Sequence, residues 1–138
     1  TGGLGQGLGL ALGAKLARPN SPVVALMGDG GFLYNPVTQS FGVAREANLP
    51  FMTVVFNNGN YEAMRRNHLA YYPNGVAAQS DTWHGVHIPG PNYAKLVEPF
   101  DGYGERVENP ANLKQALQNG LDAVQSGKLS IIDVVLSI

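Results

Sequence analysis

The sequence contains no cysteine, which excludes a disulfide framework and any thiolate-bound zinc and leaves redox chemistry silent about compartment. Charge is also sparse. Charged residues are 14% of the total, and 9 Lys+Arg against 10 Asp+Glu give a formal net charge of -1. No run of one sign offers a footprint for nucleic acid or an anionic membrane, so no polyanionic partner is expected. Long apolar runs are missing too. None reaches the roughly 18 residues of a membrane span, and the N-terminus lacks the basic-then-apolar layout of a signal peptide. The expectation left standing is a soluble, cytoplasmic protein.

What is present is glycine and enough apolar side chains for one core. With 138 residues, 44% of them hydrophobic, the chain is long enough for one compact domain and too short for two. Residues 1–138 therefore read as a single domain. Six of the 18 glycines fall within the first thirteen residues, where backbone must approach something closely. The chain opens on Thr1 and enters this segment without a preceding strand, which reads as a piece of a longer multidomain protein.

Leu4, Leu8, Leu12 and Leu16 recur every four residues beside a stripe of Gly5, Gly9 and Gly13, predicting a helix over Leu4–Ala17. Three glycines on one face predict a strand or helix packed against them almost backbone to backbone, since each costs about 1 kcal/mol in a helix. Val23–Met27 reads as a short buried strand ending at Gly28-Asp29-Gly30-Gly31. Asn35 and Pro36 read as the N-cap and first residue of a helix running to about Ala47. Phe51–Phe56 is a second strand, ending at Asn57-Asn58-Gly59-Asn60, with a helix then running to about His68. Ala70–Asn92 reads as an extended functional loop. Helices at Tyr93–Pro99 and Ala111–Ser126, a short strand near Arg106-Val107 and a strand at Ser130–Leu136 complete the pattern. Strands alternating with helices define an α/β domain of three layers, a mainly parallel sheet with helices on both faces.

In such sheets ligands bind beyond the carboxyl ends of the strands, where both polar loops lie. The first loop offers the Asp29 carboxylate between glycines whose N–H groups can approach phosphate oxygens. The second offers amide and main-chain oxygens. Mg²⁺ takes about six oxygens and uses one or two carboxylates, with substrate phosphates and water completing the shell. Asp29, Asn58 and one carbonyl leave room for a diphosphate. A Rossmann-type dinucleotide site does not fit the opening, because Leu8, Leu10 and Leu12 stand where the third glycine of G-x-G-x-x-G belongs.

Gly28-Asp29-Gly30, then 26 residues, then Asn57-Asn58 resembles the signature of thiamine diphosphate (ThDP) enzymes. The opening TGGLGQGLGLALGAKLA is similar to the segment preceding that signature in the branch holding acetolactate synthase, benzoylformate decarboxylase and pyruvate decarboxylase. The resemblance spans essentially the whole chain. It is strongest over Thr1–Arg65 and weakest over Ala70–Asn92. It departs at Gly31, where serine is common, and at Asn60, where threonine or another residue stands.

The resemblance implies a ThDP-binding fold in which Asp29, the Asn58 side chain and the Asn60 carbonyl are Mg²⁺ ligands. Gly28, Gly30 and Gly31 would face the diphosphate and Gly3 the cofactor. The Gly2 carbonyl would accept from the aminopyrimidine, Leu4 would hold the cofactor bent, and Tyr61 would contact it. It further implies a 2-keto acid decarboxylase or carboligase, acetolactate synthase-like or benzoylformate decarboxylase-like. The activating glutamate lies in a pyrimidine-binding domain, usually of another subunit, so no catalytic residue is expected here and a homodimer or homotetramer is. Two other readings are a ThDP-dependent oxidase and a domain of this fold kept for assembly alone. The latter has no use for Asp29 and Asn58.

Outside this set the plainer readings dominate. His84 and His87 have no third protein ligand and read as surface or substrate-contact residues rather than a metal site. Arg65 and Arg66 read as solvated or ion-paired. His68 follows the metal loop on the same helix as Tyr61 and is a weaker candidate than Tyr61 for substrate or cofactor contact, while Trp83 and the Tyr71-Tyr72 pair fit a site mouth or an interface equally well.

Overall fold

The computed structural model describes residues 3–88 and 90–136. Gly2 lies outside the described residues. Helix α1 spans Gly7–Ala17 and strand β1 Val24–Gly28, followed by a single helical turn α2 at Asp29–Leu33 and by α3 at Val37–Glu46. Strand β2 is Met52–Asn57, with α4 at Glu62–Tyr71 and α5 at Val76–Ser80. A 3₁₀ helix at Tyr93–Phe100 leads to β3 at Tyr103–Val107, a 3₁₀ turn at Pro110–Asn112, α6 at Leu113–Gln125 and β4 at Ser130–Val135.

The strands form one sheet of order β1-β2-β4-β3, parallel at every pairing. Leu8, Phe41, Val55, Tyr93, Val97 and Ile131 build the core on one face, beneath α1, α3 and the 3₁₀ helix. Met52, Val54, Ala116, Val124 and Ile132 build the other, beneath α6. The chain crosses the sheet in one direction from β1 to β2 and in the opposite direction from β3 to β4. Right-handed crossovers then put the two connecting helices on opposite faces. The expected three-layer α/β architecture is present.

Several local expectations change. Helix α1 starts at Gly7 rather than Leu4, because Gly5 sits at φ +79, outside helical space. Its inward stripe is Leu8, Ala11 and Lys15. A repeat of four advances about 40° per step around a helix of 3.6 residues per turn, so Leu16 rotates outward, at 69% exposed, while Leu4, ahead of the helix, is 59% exposed. A Cβ added at Gly9 or Gly13 meets nothing within 4 Å, so close packing on the glycine stripe is absent at these two positions among the described residues. Asn35 does not cap α3. Pro36 occupies that position without a side-chain cap, and Asn35 Oδ1 accepts instead from Leu8 N–H (3.0 Å) while Nδ2 donates to the Gly31 carbonyl (2.9 Å). Asn35 thus ties the start of α1 to the turn α2.

The stretch read as an extended loop contains the end of α4 and all of α5. Its far end pairs back on the second polar loop through an antiparallel bridge, Asn60 to His87, with Tyr61 N–H on the Val86 carbonyl and Ile88 N–H on the Gly59 carbonyl. Tyr93–Phe100 is 3₁₀ rather than α-helical and contains Pro99.

Candidate cofactor and metal site

β1 delivers Gly28 and β2 delivers Asn57 to the same end of the sheet, as adjacent parallel strands in register. The two loops therefore meet. Asp29 opens α2 and is only 3% exposed. Its Oδ1 accepts from Gly30 N–H at 2.8 Å and its Oδ2 from Gly59 N–H at 2.7 Å, so this one carboxylate stitches the first loop to the second. A buried carboxylate ordinarily needs a compensating charge, yet Asp29 forms no ion pair with Lys, Arg or His among the described residues.

The second loop is shaped by its own amides. Gly59 takes φ +66, a left-handed conformation that glycine adopts without steric cost. Asn58 Oδ1 accepts from Asn60 N–H at 2.9 Å, and Asn60 Nδ2 donates back to the Asn58 carbonyl at 2.9 Å. The Asn60 carbonyl receives no hydrogen bond among the described residues. One carboxylate, one amide oxygen and one open carbonyl form an oxygen donor set that suits a hard cation such as Mg²⁺. No cluster of three or more His, Cys, Asp or Glu offers an alternative among the described residues.

These groups border a cavity of about 550 Å³. Leu4, Gly28, Asp29, Gly30, Gly31, Asn58, Asn60 and Tyr61 all line it, so the structure gathers eight of the ten residues named from the sequence. Gly3 is not among the lining residues, and Gly2 lies outside the described ones. A Cβ at Gly31 would meet nothing within 4 Å, leaving that backbone open to a ligand. At Gly30 it would stand 2.7 Å from the Tyr61 ring, so Tyr61 closes on this glycine's face of the loop.

The cavity also has apolar walls that sequence reasoning missed, among them Tyr34, Phe56, Met64 and Leu136. Phe56 is the penultimate residue of β2 and Leu136 directly follows β4. For Phe56 the position next to the polar turn Asn57–Asn60 was the available signal. Tyr34 stands beside Tyr61, with ring centroids 6.3 Å apart.

Arg65, His68, Tyr72 and Trp83 do not line the cavity. They form a separate cluster: Arg65 lies 5.3 Å above the Trp83 ring, and His68 packs edge-on to Trp83 at 5.6 Å and against Tyr72 at 5.4 Å. Glu62 pairs with both Arg65 and Arg66 at 3.2 Å. This cluster fastens the segment after α4 back onto α4. Beneath the site, Tyr93 is fully buried, and its hydroxyl is pushed up to about 12 by burial first and then by Asp29 and Asp133.

A buried carboxylate and an amide turn thus meet at neighbouring strand ends of a parallel α/β sheet. The family model for the C-terminal TPP binding domain of thiamine pyrophosphate enzymes matches residues 1–134, and the chain belongs to that family. It is 35% identical over 134 residues to a probable acetolactate synthase of Mycobacterium bovis, covering 97% of this chain and 22% of that protein. A 2-hydroxyacyl-CoA lyase of Oryza sativa subsp. japonica is 33% identical over 138 residues, covering 98% and 22%. A solved ThDP-dependent 4-hydroxybenzoylformate decarboxylase of Rhodococcus jostii RHA1 superposes with a TM-score of 0.74 at 26% identity, covering 96% of this chain and 23% of that one. The chain thus spans between a fifth and a quarter of the length of these proteins. It is a ThDP-binding domain of the acetolactate synthase and decarboxylase branch.

Proposed function

We propose that this domain holds the diphosphate of ThDP through Mg²⁺, as part of a longer cytoplasmic enzyme that decarboxylates or ligates 2-keto acids. The observation that carries this reading is Asp29, a buried carboxylate with only N–H donors around it and an amide-rich turn beside it. Asp29, the Asn58 side-chain oxygen and the Asn60 carbonyl would hold the cation, and the backbone at Gly31 would face phosphate oxygens, the Gly30 N–H being held by Asp29 Oδ1. When bound, the cofactor supplies a nucleophilic carbon and an electron sink for loss of CO₂.

The residues of this chain bind and orient. Asp29 fixes both loops at once, Leu4 from ahead of α1 and Tyr61 from the second loop border the cavity, and Phe56, Met64 and Leu136 give it an apolar side. The activating carboxylate and the cover over the strand ends belong, in this reading, to a pyrimidine-binding domain of another subunit in a homodimer or homotetramer. The relatives include both a synthase and a lyase, and either fits this reading.

The test is calorimetric titration of ThDP into the complete protein, with Mg²⁺ and then with EDTA, in the wild type and in Asp29→Ala. Saturable binding that disappears with EDTA, and falls at least about 100-fold (about 2.7 kcal/mol) in the variant, is expected. Equal binding by the two proteins would remove Asp29 from the site.

A further inference from the structure

Asp133 is the second buried carboxylate on this face of the sheet. It is 0% exposed, in the middle of β4. Nothing assigned so far to the cavity uses it. We propose that Asp133 is a positioning residue that fixes the metal-binding turn Asn57–Asn60, an inference that rests on the Mg²⁺ reading above.

Register places Asp133 beside Val55 on β2 and Arg106 on β3. Alternation along β2 then turns Asn57 to the same face as Val55. Asp133 Oδ1 accepts from Asn57 Nδ2 at 3.0 Å, while Oδ2 accepts from Tyr93 N–H at 3.2 Å and from Arg106 Nη1 at 3.1 Å. A carboxylate only accepts, so it dictates which way the Asn57 amide faces: Nδ2 toward Asp133, Oδ1 away. Oδ1 meets Gly59 N–H at 3.2 Å, the same N–H that donates to Asp29 Oδ2 at 2.7 Å. One continuous set of hydrogen bonds therefore runs Asp133, Asn57, Gly59, Asp29.

The two carboxylates at its ends differ in charge balance. Asp133 has Arg106 as a cationic partner, and Arg106 Nε is also held by Glu108 at 3.0 Å. Its charge is answered within the sheet. Asp29 forms no such pair among the described residues. Asp133 serves as the fixed anchor, and Asp29 is left for a cation that the anchor helps aim. An Asn at 133 keeps the shape but brings an NH₂ toward the Arg106 and Tyr93 donors. Relieving that clash flips the amide, and the orientation of Asn57 is then no longer imposed.

The experiment uses the complete enzyme and compares Asp133→Asn, Asn57→Ala, Asp29→Ala and Val124→Ala. Val124 is buried on the opposite face and serves as a control for lost stability alone. Two quantities are read: the Mg²⁺ concentration required for ThDP binding, and amide hydrogen exchange over residues 57–60 in the metal-free protein. Partners behind metal ligands typically contribute 10- to 100-fold in metal affinity. Asp133→Asn should raise the Mg²⁺ requirement at least about tenfold and speed exchange at Gly59. Asn57→Ala should reproduce both effects should the Asp133 variant not fold. Val124→Ala should lower Tm and leave both readings within about twofold of wild type. A wild-type Mg²⁺ requirement and wild-type exchange in Asp133→Asn or Asn57→Ala, with binding lost in Asp29→Ala, would overturn the positioning role alone. Unchanged binding in Asp29→Ala would overturn the underlying site as well.

Discussion

β1 and β2 carry the two halves of one site, yet they are built differently. β2 lies between β1 and β4, four of its six residues are buried, and its terminal amide is held by Asp133. β1 is an edge strand with alternate residues exposed, Leu26 at 65%. The loop that offers neutral oxygens is thus braced from inside the chain. The loop that offers the carboxylate sits on a strand whose outer face is bare and apolar, continuous with Leu10 of α1. An edge of this kind is a ready template for pairing or covering. The β2 loop is braced by a buried side chain of its own sheet, while the β1 loop is held by Asp29 itself, through Gly30 and Gly59, on a strand whose outer face is exposed.

The strongest way to break the comparison is to remove the brace. Asp133→Ala strands the Asn57, Tyr93 and Arg106 donors and should cost about 3 kcal/mol in denaturant unfolding; a loss below about 1 kcal/mol would show that β2 needs no anchor. Gly30→Ala probes the β1 loop, where the new Cβ must displace the Tyr61 ring. ThDP affinity should fall about tenfold (about 1.4 kcal/mol) with little change in Tm.

Leu26→Lys sharpens the asymmetry. As an exposed site it should change domain stability by less than about 0.5 kcal/mol, while sedimentation of the complete enzyme should show weakened assembly. The opposite pattern, lost stability with intact assembly, would mean that β1 is covered from within its own domain.

The smallest effect concerns alkaline pH. Tyr93 is held protonated in the fold up to about 12, against 10.0 unperturbed. The unfolded state therefore ionises first. The associated stability is complete below pH 10 and lost as pH rises from 10 through about 12. Tyr93→Phe should flatten the fall in stability over that interval, and an unchanged slope would place its origin elsewhere.

The motif residues were legible because their chemistry is local. Gly28-Asp29-Gly30 and Asn57-Asn58 sit where buried β-strand patterns stop, and a parallel sheet brings such stops together. The parallel sheet and its two helical faces followed from the alternation of Val23–Met27, Phe51–Phe56 and Ser130–Leu136 with helical stretches. Tertiary partners were not legible. Asn35-Pro36 has the local form of a cap, but the Leu8 N–H and the Gly31 carbonyl compete for the Asn35 amide and take it. The glycine stripe predicted a close neighbour, and Gly9 and Gly13 have none among the described residues. Asp133 gave no signal inside an apolar strand, because its partners Asn57, Tyr93 and Arg106 are 76, 40 and 27 residues away.

The central claim is that the ends of β1 and β2 hold one cation against one diphosphate. Replacing Mg²⁺ by Mn²⁺ in the complete protein and recording electron–nuclear double resonance with ThDP bound tests it most directly. ³¹P coupling to a bound Mn²⁺, lost in Asp29→Ala, is expected. Bound Mn²⁺ without ³¹P coupling, or coupling that survives in Asp29→Ala, would contradict it.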